Sequence, residues 1–127
     1  MYKKIFLSAL VAGVMLATTM PSDAEAASIR VKCEKRATRS KISVDSKNLV
    51  PGQYRCQTRS GSNQKTTPVV SSVGDQVECD FDSARADIAA GATAITANFI
   101  QNGQVAGKVI DAGGFTVTSD TVTCRSK

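Results

Sequence analysis

The chain has 127 residues, with 16 Lys+Arg against 11 Asp+Glu, four cysteines, and neither histidine nor tryptophan. That length holds one domain of ordinary size, and 42% hydrophobic residues exclude a wholly disordered chain. Without histidine there is no imidazole base, no Ser-His-Asp or Cys-His catalytic set and no His-containing zinc site.

Lys3 and Lys4 open the chain, and Ile5 to Ala17 form an apolar stretch broken only by Ser8 and Gly13. A polar region with Pro21 follows and ends at Ala24-Glu25-Ala26. This order, closing on a small-x-small pattern, reads as a signal peptide over residues 1–26. Its apolar part is shorter than the roughly 20 residues that span a bilayer. Cleavage after Ala26 would leave residues 27–127 as one domain, periplasmic or extracellular, with no transmembrane segment.

Cys33, Cys56, Cys79 and Cys124 all fall in that exported part, where disulfides persist. Their spacings of 23, 23 and 45 contain none of the close pairs of a zinc ribbon or a C-x-x-C redox site. Two structural disulfides are expected. A Cys33–Cys124 bridge would staple the first and last strands and leave Cys56–Cys79 to close the polar segment between them. The sequential pairing, Cys33–Cys56 with Cys79–Cys124, stays open.

Period-two alternation predicts strands. Ile29, Val31 and Cys33 oppose Arg30, Lys32 and Glu34; Ile42 and Val44 repeat the pattern, as do Tyr54, Cys56 and Thr58. Val77, Cys79 and Phe81 oppose Glu78, Asp80 and Asp82, and Val122 and Cys124 close the chain in the same phase. Turns are expected at Val50-Pro51-Gly52, in a polar loop from Arg59 to Gln64, and at Gly113-Gly114 ahead of Phe115. Asn102-Gly103 predicts a type I′ hairpin pairing Ala94–Gln101 with Gln104–Asp111, with Ile100 beside Val105 and Ile95 beside Ile110. Asp82-Ser83 before the Ala-rich stretch to Ala90, with Gly91 behind it, predicts a short capped helix serving as a crossover between sheets. The fold class expected is all-β: an antiparallel β-sandwich of about seven or eight strands with one short helical turn and two disulfides.

The run from Ile42-Ser43-Val44-Asp45 through Leu49-Val50-Pro51-Gly52-Gln53-Tyr54-Arg55-Cys56 resembles an element of small secreted immunoglobulin-like and fibronectin type III-like sandwiches. There a Leu-x-Pro-Gly stretch leads into a strand that begins with tyrosine. The resemblance implies an immunoglobulin-like sandwich and gives Tyr54 the role of bonding back to the turn through its hydroxyl.

Charge is unevenly spread. Residues 30–65 carry ten Lys/Arg against Glu34 and Asp45, whereas residues 66–127 carry four against seven acids. Lys32, Lys35, Arg36, Arg39, Lys41, Arg55 and Arg59 form a candidate set for an anionic surface or a protein partner. No aromatic residues interleave with them, so sequence-specific nucleic-acid binding is not expected. The opposite-sign halves would also favour head-to-tail self-association. Glu78, Asp80, Asp82 and Asp87 offer the hard oxygens that Ca²⁺ takes, but Ala84 and Arg85 stand where an EF-hand loop needs an oxygen ligand and a glycine. A solvated strand face with a helix cap accounts for the same residues, and neither a metal nor a cofactor is expected. No P-loop, G-x-S-x-G or dinucleotide fingerprint occurs, and an enzyme is not expected. The expectation is an exported, disulfide-stabilised interaction or structural module. The alternative is a small proteinaceous inhibitor of an exported hydrolase, presenting Arg59–Lys65 as a rigid loop.

Overall fold

A computed structural model describes residues 26–127, so the signal peptide expected over residues 1–26 lies outside the described residues except for Ala26. In chain order the elements are β1 (Ser28–Arg36), β2 (Arg39–Lys47), β3 (Gln53–Ser60), β4 (Asn63–Thr66), β5 (Val70–Ser71), β6 (Val77–Asp82), α1 (Arg85–Ala89), β7 (Thr93–Ala94), β8 (Gln104–Asp111), β9 (Thr116–Thr123) and β10 (Arg125–Ser126). They make two sheets. The first has the order β10-β1-β2-β6-β7; the second runs β4-β3-β8-β9, with β5 also on β3. Ten strands replace the seven or eight expected, because β5, β7 and β10 are two-residue pairings. Pairing is mostly antiparallel, with two short parallel exceptions, β1 with β10 and β6 with β7.

The inward phases of both sheets meet in one core. Val31, Ile42, Val44, Cys79 and Phe81 come from the first sheet, and Tyr54, Cys56, Val105 and Val109 from the second. Cys56–Cys79 crosses that core from β3 to β6, and Cys33–Cys124 ties β1 to the residue between β9 and β10. At the centre the sheets approach so closely that only glycine fits. A Cβ on Gly107 of β8 would lie 2.8 Å from Val31 Cγ2 and 3.2 Å from Val44 Cγ2. The Tyr54 hydroxyl donates to the Val50 carbonyl, tying β3 to the turn before it.

Three local readings are corrected. The Asn102-Gly103 turn forms, with φ of 55° and 68° as a type I′ turn requires, but only Gln101 and Gln104 bridge across it. Ala94–Gln101 is not a hairpin arm, because β3 and β9 already occupy both edges of β8. Its backbone is held by side chains instead. Ser40 Oγ donates to the Ala97 carbonyl at 2.7 Å, Ser60 Oγ accepts from the Gln101 N–H at 2.6 Å, and Asn63 Nδ2 donates to the Phe99 carbonyl at 2.8 Å. Ile95, Phe99 and Ile100 are thereby buried.

The helix is present, but no side chain caps it and its N-cap is Ala84. Asp82 accepts the Ala84 N–H at 2.9 Å, and Ser83 Oγ accepts the Ser40 N–H at 3.0 Å. The helix also links β6 to β7 within one sheet rather than crossing between sheets. Finally, the expected Arg59–Gln64 loop is a tight hairpin, with β3 and β4 paired down to Ser60 and Asn63.

Two substitutions test this packing. Gly107→Ala is expected to cost about 1–3 kcal/mol by overpacking, and adding Val31→Ala to recover part of that loss. Thr58 is wholly buried and its hydroxyl has no partner among the described residues; Thr58→Val is expected to add about 1 kcal/mol. Urea unfolding of each variant measures both effects.

Candidate functional site

The outer face of the first sheet is striped by charge. Register places Arg30 beside Asp45 and Asp45 beside Glu78; Lys32 beside Ser43 and Ser43 beside Asp80; Glu34 beside Lys41 and Lys41 beside Asp82. Cations therefore concentrate on β1 and carboxylates on β6. Arg36 donates to Glu34 at 2.9 Å, and Lys127 Nζ lies 3.8 Å from the same carboxylate. The Arg36 hydrogen bond holds the Glu34 carboxyl below its usual range. Lys35 donates to the Arg36 carbonyl.

Arg39 joins the acidic side. Its guanidinium grips Asp82 through two hydrogen bonds of 2.9 and 2.6 Å and reaches Asp87 at 2.9 Å. Asp82 is buried and Arg39 partly so. Burial pushes the Asp82 carboxyl up, yet the Arg39 hydrogen bonds and the Ala84 N–H outweigh it and leave its pKa below the ordinary aspartate value. This arrangement divides the four carboxylates weighed for Ca²⁺. Asp82 and Asp87 are spent on Arg39, while Glu78 and Asp80 stay exposed, Asp80 accepting from Ser43 Oγ at 3.2 Å. Among the described residues no group of three or more acidic, histidine or cysteine side chains is placed to hold a metal ion.

The second sheet has a different outer face. Arg55, Gln57 and Arg59 project from β3, with Thr66 beside Gln57 and Gln64 beside Arg59. Across β8, Ile110 lies beside Arg55, Lys108 beside Gln57 and Ala106 beside Arg59. Ser119 and Thr121 of β9 extend the last two rows. None of these positions is a carboxylate. The nearest, Asp120, belongs to the opposite phase beside Gly107 and accepts the Thr121 N–H at 2.9 Å. Gln57 donates to Thr66 Oγ1 at 2.9 Å and Arg59 to Gln64 Oε1 at 3.1 Å, which holds the long side chains across the sheet. The short Ala106 leaves a hollow of about 350 Å³ lined by Gln57, Arg59, Lys108, Ser119, Asp120 and Thr121.

No family model and no curated protein sequence matches the chain. Among the described residues, no helix is long and apolar enough to cross a membrane.

The basic set expected from sequence is therefore divided. Lys32, Arg36, Arg39 and Lys41 lie on the outer face of the first sheet and Arg55 and Arg59 on that of the second, while Lys35, paired with Ser40, falls in the opposite phase of β1. Lys108, Gln57, Ser119 and Thr121 join Arg55 and Arg59 but were not in the expected set. The available signal was phase: Arg55-x-Gln57-x-Arg59 and Ala106-x-Lys108 are outward repeats of two strands that pair.

A carboxylate whose pKa falls on folding contributes stability that is complete above its unfolded value, about 4, and is lost as the pH drops through the folded value. Asp82→Asn is thus expected to lower stability at neutral pH by about 2–4 kcal/mol. It should also flatten the decline of stability below about pH 4. Urea titrations at neutral and acid pH read both outcomes.

Proposed function

We propose that this protein is an exported immunoglobulin-like β-sandwich that binds a linear anionic polymer through the outer face of its second sheet. The observation that carries the reading is that face: Arg55, Arg59 and Lys108 share it with amides and hydroxyls, and the single carboxylate at its hollow, Asp120, stands in the opposite strand phase. Neighbouring strands lie about 4.8 Å apart and alternate residues about 7 Å, so Lys108 sits about 8 Å from each arginine and the two arginines about 13 Å from one another. A sheet holds such a pattern without further ordering, which lowers the cost of binding an extended chain. Gln57, Gln64, Ser119 and Thr121 supply donors between the charges, suited to the oxygens of a sugar or phosphate backbone. No aromatic residue occurs at these positions, so recognition rests on charge spacing and hydrogen bonding.

The sandwich reading is supported by the two sheets sharing one core, by the disulfide between them, and by the Tyr54 hydroxyl reaching back to Val50. Export is supported by the signal-like order of residues 1–26 and by two disulfides with no free cysteine among the described residues.

Calorimetry with polyphosphate and with polygalacturonate tests the proposal and separates phosphate from carboxylate polymers. Binding should weaken steeply between about 50 and 200 mM salt. The triple variant Arg55→Gln, Arg59→Gln, Lys108→Gln is expected to bind at least about tenfold more weakly, and Lys32→Gln with Lys41→Gln to bind as wild type. Wild-type protein that takes up neither polymer at low salt, or a triple variant that binds as well as wild type, would overturn it.

A further inference from the structure

β6 is paired with β2 along its whole length. On its other side β7 covers only Phe81 and Asp82. Among the described residues, Val77, Glu78, Cys79 and Asp80 have no ladder partner on that side. The facing wall is the interrupted edge of the second sheet, where Thr67-Pro68-Val69 separates β4 from β5 and Pro68 has no N–H to offer. Two clefts lie between these walls and adjoin at Val70 and Glu78. One, of about 470 Å³, is lined by Thr67, Pro68, Cys79 and Asp80 and runs on to Lys41 and the α1–β7 turn; the other, of about 380 Å³, by Val73 and Val77. The opposite side of the molecule is closed by comparison, because β9 packs along β1, and β10 and the Cys33–Cys124 bridge secure that edge.

We infer that the open edge of β6 accepts an extended peptide as an added strand, and that the peptide alternates apolar and basic residues. An added strand continues the two-residue period of its neighbour. One phase of its side chains turns inward beside Val77 and Cys79, over the apolar floor that includes Val70. The other phase lies outward beside Glu78 and Asp80. Those two carboxylates are exposed and, among the described residues, take part in no ion pair. Opposite charges on adjacent strands favour pairing, and like charges oppose it. The charge also disfavours a second copy: an antiparallel β6–β6 contact would set Glu78 and Asp80 against their own counterparts. This edge belongs to the first sheet, so the inference stands apart from polymer binding on the second.

Fluorescence anisotropy with a labelled (Val-Lys)₃ peptide and the oxidised protein provides the test. Saturable binding is expected, with slowed amide exchange at Val77–Asp80 and at least about tenfold weaker binding by Glu78→Lys with Asp80→Lys. The same peptide N-methylated at alternate residues should fail, as should (Val-Glu)₃. The Arg55, Arg59 and Lys108 variant should bind the peptide as wild type does, so loss of polymer binding and loss of peptide binding are separable. The inference is overturned by absence of saturable binding, by equal binding of the N-methylated peptide, or by indifference to charge reversal at Glu78 and Asp80. Oligomers of the protein alone that the same reversal disperses would assign the edge to a second copy and overturn it as well.

Discussion

The Cys56–Cys79 bridge joins the inward faces of β3 and β6, so the two sheets are tied covalently through the middle of their shared core. In a chain with no tryptophan and few other aromatics, apolar burial alone is modest, and cross-links become a large share of stability. On the chain-entropy account, closing loops with separations of 23 and 91 residues contributes about 3.4 and 4.6 kcal/mol. Domain stabilities total only about 5–15 kcal/mol. One cysteine of the Cys56–Cys79 bridge, Cys79, lines the cleft along the β6 edge together with Thr67, Pro68 and Val70. Gly107 sets how closely the sheets approach beside it.

The two outer faces diverge because paired strands impose different neighbours. On the first sheet β2 lies between β1 and β6, which brings the basic early segment against the acidic later one, and much of the charge is met within the sheet. On the second, β3 meets β8 and β4, whose outward residues are neutral or basic, so the field of Arg55, Arg59 and Lys108 is not cancelled locally. A net charge counted along the chain hides this. The basic first half and the acidic second half meet on neighbouring strands of one sheet, and Arg55, Arg59 and Lys108 stand on the outer face of the other.

Much of the strand framework was legible in the residues themselves. Alternation marks β1, β2, β3 and β6 because each buries a single face, Val50-Pro51-Gly52 marks a bend through the fixed φ of proline, and Asn102-Gly103 a turn through positive φ. The Ala94–Gln101 segment was not legible, because its fate depends on whether the edge of β8 is free, and that edge is taken by β9, later in the sequence. The hydroxyls that hold the displaced segment, Ser40 and Ser60, sit in the inward phase of distant strands, and alternation alone does not name the backbone groups they meet. Site residues suffered the same ambiguity. Proximity in sequence grouped Arg39 with Arg55, but one became the partner of buried Asp82 and the other a surface cation on a different sheet.

Cys33–Cys124 also governs how the folded chain withstands proteolysis. The bridge closes a covalent ring that contains every turn between β1 and β9. One proteolytic nick in any of those turns releases no fragment, and where it falls between Cys56 and Cys79 the second bridge keeps the ring closed. A protease must cut twice, or trim only the short tails, before material is lost.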